Sequence, residues 1–337
     1  MRLIMVGFGT VGQNLAKMLE SKKRELLTEF GFHPRIVAAV DTTGAMIDPK
    51  GIDLNRALAV KQAKGSVAQD SKLGRLGMDA QEVIEEVEAE VVLELTPTKI
   101  VDGEPGLSHI RTALRSQRHV ITTNKAPLAI AMPSLMEMAF YNKVHLKFSG
   151  TVGGGTPILD FAGKCLNGNR IESIRGILNG TTNYILTRMV ECDTPLETAL
   201  KEAQDLGYAE ANPSYDIDGM DTACKLVILA NSTMRREVSL KDVEIEGIRE
   251  VTREDIEAAR RNGSQIKLIG TVDAEVRVRP EPVPLSNPLC VGGTLNAVSF
   301  RTELTGELTI VGRGAGGVET ASAVLRDIVD VRRALAQ

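Results

Sequence analysis

The chain has no tryptophan, and aromatic residues make up only 3% of it. Few side chains are left on which single-stranded bases could stack. Neither sign of charge is in excess: 40 Lys and Arg stand against 44 Asp and Glu, for a net charge of −4 and a pI near 5.8. The charges are interspersed, with no basic tract and no acidic tail, so nucleic acid is not an expected partner. Cysteine is scarce. Cys165, Cys192, Cys224 and Cys290 include no C-x-x-C pair, which argues against a zinc or redox motif and suits free thiols in a reducing compartment. No apolar run approaches a membrane span. The apolar start, Met1 to Val6, runs into Gly7 without the length or cleavage site of a signal peptide. These absences lead to the expectation of a soluble, cytoplasmic protein with no membrane partner.

What is present is enough apolar residue, 43% of 337 positions, for two domains with full cores. Leu3 to Val6 reads as a buried strand, followed by Gly7-Phe8-Gly9-Thr10-Val11-Gly12 and then apolar residues at helical spacing. Strand, G-x-G-x-x-G, helix is the context in which glycines make a tight turn, admit a pyrophosphate and let the helix pack closely on the strand. The helix N-terminus then faces the phosphates. A second strand, Arg35 to Val40, ends at Asp41, where a carboxylate can accept from an adenosine ribose or else form the turn before Thr42. Lys50 is the nearest cation that follows, so Asp41 predicts NAD(H) used at least as well as NADP(H). The first helix reads as continuous to about Phe30. Helices are expected at 53–64, 79–87, 107–114 and 133–142, and strands at 90–95, 119–123 and 144–148. The tips carry Thr96-Pro97 and Asn124-Lys125. Thr96 lies where a nicotinamide half could sit. Lys125 could hold a carboxylate or polarise a carbonyl, or be a surface lysine in a turn. This alternation predicts an α/β, Rossmann-type doubly wound parallel sheet over residues 1–132.

Residues 133–311 read as a second, α+β domain with a mainly antiparallel sheet, carrying substrate, catalysis and dimerisation. Its strands are expected at 170–178 and 265–279 and in a hairpin at 297–303 and 307–311. Pro280, Pro282, Pro284 and Pro288 read as an extended linker. Such a sheet leaves edges and a face open, so a homodimer through this domain is expected. Ser149 to Pro157 is glycine-rich; its carbonyls could bind a monovalent cation, or the segment could be a hinge. Residues 312–337 read as a glycine turn, with Gly316 among the candidate cofactor residues, and a long helix returning to the first domain.

One stretch concentrates chemistry. Glu210, Asp216, Asp218 and Asp221 precede Lys225, and an apolar run, Leu226 to Ala230, follows. On a helix, Asp221 and Lys225 share a face. A lysine entering an apolar helix beside a carboxylate is a candidate proton donor; the plainer reading is an ordinary i,i+4 pair. A calcium loop fails on spacing, because Asp221 occupies the position that needs glycine.

Several blocks in this order resemble homoserine dehydrogenases: Gly7 to Gly12, Thr123-Asn-Lys125-Ala, Gly150 to Pro157, Gly176 to Asn183, Ala203 to Glu210 and Asp216 to Lys225. The resemblance spans nearly the whole chain. It implies NAD(P)H-dependent reduction of L-aspartate 4-semialdehyde to L-homoserine, the branch point toward threonine and methionine. It implies that Lys225 and Lys125 serve the reacting oxygen and substrate binding, that Glu210 and Asp221 hold the substrate, with Asp216 beside them, and that Thr10, Val11, Thr96, Lys125 and Gly207 border the cofactor. It also implies sodium at carbonyls near Val152 and Gly154, although many members carry glutamate where this chain has Ser149. The length further suggests no fused kinase and no regulatory domain, hence no separate threonine site. Two other readings fit the residues: another NAD(P)-dependent oxidoreductase on an amino-acid-like substrate, such as aspartate dehydrogenase, and a nucleotide sensor without turnover. Intact Lys125, Asp221 and Lys225 weigh against the sensor.

Overall fold

The apolar run ahead of the glycines forms β1 (Arg2–Val6), and every strand of the first sheet is arranged around it. The computed structural model describes residues 1–336. It divides into one unit of Met1–Thr151 with the segment from Gly317 on, and a second of Val152–Gly316.

In the first unit the chain runs β1, α1 (Thr10–Ser21), α2 (Lys23–Phe30), β2 (Arg35–Asp41), β3 (Gly44–Ile47), α3 (Leu54–Lys64), β4 (Gly74–Leu76), α4 (Ala80–Glu86), β5 (Val91–Glu94), α5 (Gly106–Arg115), β6 (His119–Thr122), α6 (Lys125–Tyr141) and β7 (Leu146–Lys147). The sheet order is β4-β3-β2-β1-β5-β6-β7. Strands β2-β1-β5-β6-β7 are parallel, whereas β3 and β4 add antiparallel at one edge. Asp53 caps α3, accepting from the N–H groups of Asn55 and Arg56, and Asp79 makes a reciprocal capping box with Glu82 on α4.

Three expectations change in this unit. The first helix breaks at Lys22 into α1 and α2. The stretch after Asp41, where no strand is expected before residue 90, holds β3 and β4. Helix α6 begins at Lys125, not Pro133: Asn124 caps it, Pro127 falls in the first turn where no N–H is needed, and non-helical backbone at Ala131 accommodates Pro133. The unit boundary accordingly moves from 132/133 to 151/152, since α6 and β7 extend the parallel sheet. The C-terminal helix, Gly317–Ala334, packs on α1 and β6 of this unit, with Ala321, Val324, Ile328 and Val331 in its core. The second boundary therefore lies at 316/317 instead of 311/312.

The second unit contains α7 (Ile158–Asp160) running into a π-helical turn, β8 (Ile171–Ile177), α8 (Gly180–Cys192), α9 (Leu196–Asp205), α10 (Ser214–Ile217), α11 (Met220–Thr233), β9 (Val243–Ile245), α12 (Arg253–Arg261), β10 (Ser264–Val272), β11 (Val276–Pro284), β12 (Leu295–Thr302) and β13 (Gly306–Arg313). Its sheet order is β13-β12-β8-β10-β11-β9. Only β9 pairs in parallel. The expected strand 265–279 is a hairpin of β10 and β11, and the expected proline linker is the second half of that hairpin. Pro280, Pro282 and Pro284 alternate opposite Leu268, Ile266 and Ser264, and β9 covers β11 only at Val276 to Val278. A missing N–H costs a ladder nothing when it points to the uncovered edge, and alternate prolines keep other strands from adding there. Helix α11 is buried from Asp221 to Ala230. Among the described residues, no helix is long and apolar enough to cross a membrane.

Candidate active site

The first unit supplies a dinucleotide-binding turn. Gly7 has φ +102, and a Cβ there would stand 2.7 Å from the Leu95 carbonyl group. A Cβ on Gly12 would collide with the Gly7 carbonyl oxygen, whereas one on Gly9 would meet nothing within 4 Å. Two glycines thus close the strand–helix contact and the middle one faces open space. No side chain caps α1, so its first N–H groups remain available to an anion. Phe8 is 1% exposed; its ring fills the core of this unit, so only its backbone can face a ligand. Thr10 is exposed and Val11 half-buried. Gly317 packs against the side chains of Thr10 and Asn14. The close approach at the head of the last helix falls there, one residue after the expected Gly316 (φ +133).

Asp41 does not stand free at its strand end. Its Oδ2 pairs with Lys61 Nζ at 2.8 Å and accepts from Val67 N at 3.0 Å, and its Oδ1 accepts from Ser66 Oγ at 2.7 Å. Burial alone pushes this carboxyl up. The hydrogen bonds from Lys61, Ser66 and the backbone outweigh burial and hold it below its ordinary value. The charge of Asp41 is thus offset by Lys61, on the next helix, 2.8 Å away.

At the other strand tips, Glu94 is wholly buried. It accepts from the hydroxyl and N–H of Thr96 and, at 3.0 Å, from Thr122 Oγ1. Asn124 Nδ2 donates to Thr96 Oγ1 at 3.2 Å and to Pro97 O at 3.3 Å, while its Oδ1 caps α6 through Ala126 N. Lys125 is therefore the first residue of α6, half-buried, with its N–H directed to Thr98 Oγ1.

The second unit gathers the acid–lysine block. Lys225 Nζ lies 2.7 Å from Asp221 Oδ2 and donates to Leu178 O at 2.6 Å. Both residues are buried, Asp221 at 3% and Lys225 at 7% exposure. Asn179 organises their surroundings: its Nδ2 donates to Asp216 Oδ1 at 2.7 Å and to Asp221 Oδ2 at 2.8 Å, while its Oδ1 caps α8. Asn296 Nδ2 shares Leu178 O at 3.0 Å. The Tyr215 hydroxyl donates to Cys224 Sγ at 3.3 Å, and burial pushes its phenol well above the usual range. Asp218 turns away to pair with Arg249. Glu210 is exposed; its backbone carbonyl accepts from Gln204. Gly207, φ +76, lies just past α9 with nothing around its Cβ position.

The structure thus joins Asp216, Asp221 and Lys225 through Asn179 and separates Asp218 from them. None of Asn179, Asn296, Glu94, Thr122 and Lys61 is among the site residues expected from the sequence. The signal available for Asn179 was its place opening the Asn-Gly-Thr-Thr-Asn run after an apolar strand, a helix-cap position.

In the glycine-rich segment, Val152 is buried, and Gly154 has φ +53 with its Cβ position closed by Gly314 and Ala315. Ser149, which stands where the resemblance implies glutamate, donates its hydroxyl to Asp327 at 2.7 Å. Among the described residues, no group of three His, Cys, Asp or Glu side chains could hold a metal ion.

The homoserine dehydrogenase family model matches residues 157–329, and one for glutamate/leucine/phenylalanine/valine dehydrogenases matches residues 1–101. A homoserine dehydrogenase of Methanocaldococcus jannaschii is 46% identical over 332 residues, covering 98% of each chain. An NAD(+)-dependent homoserine dehydrogenase of Pseudomonas canavaninivorans is 38% identical, over 98% of this chain and 96% of its own. The solved structure of a hyperthermophilic archaeal homoserine dehydrogenase in complex with NADPH has a TM-score of 0.85 at 31% identity, over 99% of this chain and 98% of that one. The second match of the family models ends before α5 and bears on the nucleotide fold alone. The first spans α8, α11 and the Asp221–Lys225 pair, and the relatives match from end to end, so the chain belongs to the homoserine dehydrogenase family.

Proposed function

We propose that the protein is an NAD(P)-dependent homoserine dehydrogenase, interconverting L-aspartate 4-semialdehyde and L-homoserine, with Lys225 as the group that exchanges a proton with the substrate oxygen. The observation that carries this is the donor count at Lys225. An ammonium has three donors; Asp221 Oδ2 and Leu178 O take two, which leaves one for a substrate oxygen. When bound, the reduced dinucleotide supplies the hydride that reduces the aldehyde carbon. Lys225 gives its proton to the oxygen as negative charge develops there, and in reverse takes it back from homoserine. Asp221, 2.7 Å away, fixes the direction of the Lys225 side chain. The exposed carboxylate of Glu210 suits the substrate ammonium, with Asp216 as a second acidic residue. Lys125, at the head of α6, suits the substrate carboxylate or the reacting oxygen.

The dinucleotide fits the first unit on the open position at Gly9 and the uncapped start of α1. Gly7 to Gly12 would hold its phosphates, and Asp41 and Lys61 mark the ribose end. No step passes through an ion: the side-chain oxygen of Ser149 is committed to Asp327, and sodium, if taken up, would rest on carbonyls such as those of Val152 and Gly154. The same reading takes the enzyme as a homodimer formed through the six-stranded sheet, whose edge strand β13 is paired on one side only and leaves Val311 46% exposed. Its four free cysteines suit the reducing cytoplasm.

The test is reduced-dinucleotide consumption with L-aspartate 4-semialdehyde, set beside oxaloacetate plus ammonia. Turnover with the semialdehyde alone is expected. Turnover only with oxaloacetate and ammonia would make the protein an aspartate dehydrogenase, and binding without turnover would make it a sensor. A sedimentation run giving only a 36.3 kDa species would remove the dimer.

A further inference from the structure

A buried carboxylate in the first unit has no part in the chemistry just described. Glu94, the last residue of β5, is 0% exposed, and among the described residues no lysine or arginine forms an ion pair with it. His109 Nδ1 stands 3.6 Å from its Oε1, beyond a hydrogen bond. Three donors serve it: Thr96 Oγ1, Thr96 N at 3.2 Å and Thr122 Oγ1 at 3.0 Å. Burying a carboxylate on hydroxyl and amide donors, with no lysine or arginine among them, is expensive, and a glutamine of equal size would be the cheaper residue there.

What the carboxylate alone can do is accept at both oxygens, and the direction of every bond in the cluster follows from that. Because Oε2 accepts from Thr122 Oγ1, the Thr122 hydroxyl proton is committed, and its lone pair accepts from Asn124 N at 3.0 Å. Because Oε1 accepts the Thr96 proton, Thr96 Oγ1 is an acceptor toward Asn124 Nδ2 at 3.2 Å. Asn124 must then present Oδ1 to α6, which it caps through Ala126 N. Gly106 closes the remaining side, since a Cβ there would press on Asn124 Nδ2. One anion thus sets the orientation of the N-cap whose next residue is Lys125.

We propose that Glu94 is a positioning residue that acts through Thr96, Thr122 and Asn124 to aim the first turn of α6, and with it Lys125, at the substrate. This rests on the reading of Lys125 given above. A glutamine at 94 would put an amide N–H₂ toward one of the two hydroxyls and reverse one arm of the network. The cap then loosens while volume is kept.

The experiment is a double-mutant cycle on L-homoserine affinity, read by fluorescence of the enzyme carrying reduced dinucleotide, so that variants without turnover can still be measured. Glu94→Gln is expected to weaken homoserine binding about fivefold to tenfold in the natural chain and less than twofold in the Lys125→Met background. Equal losses in both backgrounds would show a structural role only, and no loss in the natural chain would equally overturn the proposal. If Glu94→Gln does not fold, Thr122→Val replaces it in the same cycle, with Thr122→Ser expected to restore affinity to within twofold; failure of that rescue overturns the proposal as well. Normal affinity and turnover in Lys125→Met alone would instead remove the role of Lys125, and the inference would fall with it. An impaired Lys125→Met beside an unaffected Glu94→Gln would remove the inference and leave the reading of Lys125 standing.

Discussion

Each unit holds a lysine against a buried aspartate, and the two pairs do different work. In the first, Lys61 meets Asp41 at 2.8 Å across a gap of secondary structure; in the second, Lys225 meets Asp221 at 2.7 Å one turn along a single helix. Asp41 is saturated by Ser66, Val67 and Thr43 besides its lysine. It fastens β2 to the segment that follows α3, and little accepting capacity is left. Asp221 takes Lys225 and one donor from Asn179, and the lysine's other contact is a neutral carbonyl. A pair whose acceptor is fully used is a fastening. A buried lysine with a donor to spare, as Lys225 at 9% side-chain exposure, is suited to react, whereas Lys61 at 20% opens its spare donors to solvent.

The strongest way to break the comparison is Lys225→Met. It removes the proton and roughly keeps the volume, so kcat should fall by about 10²–10⁴-fold, with kcat/KM falling alike because the interaction acts on charge formed in the transition state. Dinucleotide affinity, measured by fluorescence titration, should stay within about twofold. Retained kcat would reduce Asp221–Lys225 to a second fastening.

Asp221→Asn should cost less, about tenfold in kcat. The lysine stays, but it loses the charged acceptor at 2.7 Å that fixes its direction. KM for L-homoserine should change less than kcat, as expected for an ammonium that is still present but poorly aimed. An unchanged kcat would mean that the Leu178 carbonyl alone holds Lys225 in place.

The asymmetry also explains what was legible in the sequence. Asp221 and Lys225 were visible because i,i+4 spacing on one helix places two side chains together without knowledge of the fold. Gly7 to Gly12 and the alternation of strands and helices were visible for the same local reason. Lys61 was not, because its partner lies twenty residues earlier on another element, and only the packing of α3 beside β2 brings them together. Pro280 to Pro284 misled because proline argues against a strand unless the missing N–H faces an open edge, and the edge is a property of the finished sheet. Lys125 was placed correctly at a strand tip, but its status as the first residue of α6 depends on Asn124, Thr122 and Glu94 acting together.

On the fastening side, Asp41→Asn and Lys61→Met should change stability more than chemistry. Removing one partner of a largely buried pair costs about 1–3 kcal/mol, read as a shift in urea midpoint, with kcat within about twofold. The Asp41 carboxyl is held below its ordinary value in the fold. Its contribution is therefore complete above the unfolded carboxylate pKa and is lost as pH falls through the folded one. The natural chain should lose stability toward acid more steeply than Asp41→Asn. Lys61→Met should also raise KM for NADP(H) relative to NAD(H), because it leaves the aspartate charge uncompensated at the ribose end. An unchanged ratio would put the 2′-phosphate elsewhere.

A third lysine sharpens the contrast, with the smallest effect of the set. Lys267 on β10 is 1% exposed, and among the described residues no carboxylate forms an ion pair with it: its ammonium donates to Asn183 Oδ1 at 3.0 Å and Thr187 Oγ1 at 3.2 Å, and Glu191 acts only from farther off. The amide of Asn183 is committed through Nδ2 to the carbonyls of Val291 and Leu295, so its oxygen must face the lysine. Burial pushes Lys267 down to about 8, against a smaller upward pull from Cys290 and Glu191. Between that value and the ordinary lysine pKa of about 10.4, the unfolded chain keeps the proton and the folded chain sheds it. The unfolded state then binds more protons, so this group makes stability rise with pH across that window, and the gain is lost as pH falls through 8. Lys267→Met has no such group. The stability of the natural chain relative to Lys267→Met, from urea unfolding at pH 7, 8.5 and 9.5, should therefore increase with pH, by at most about 1.4 kcal/mol per unit. Other titrating groups cancel in the difference. A flat difference would mean that Asn183 and Thr187 stabilise the ammonium as well as water does, and that a buried lysine in this fold needs no aspartate to stay charged.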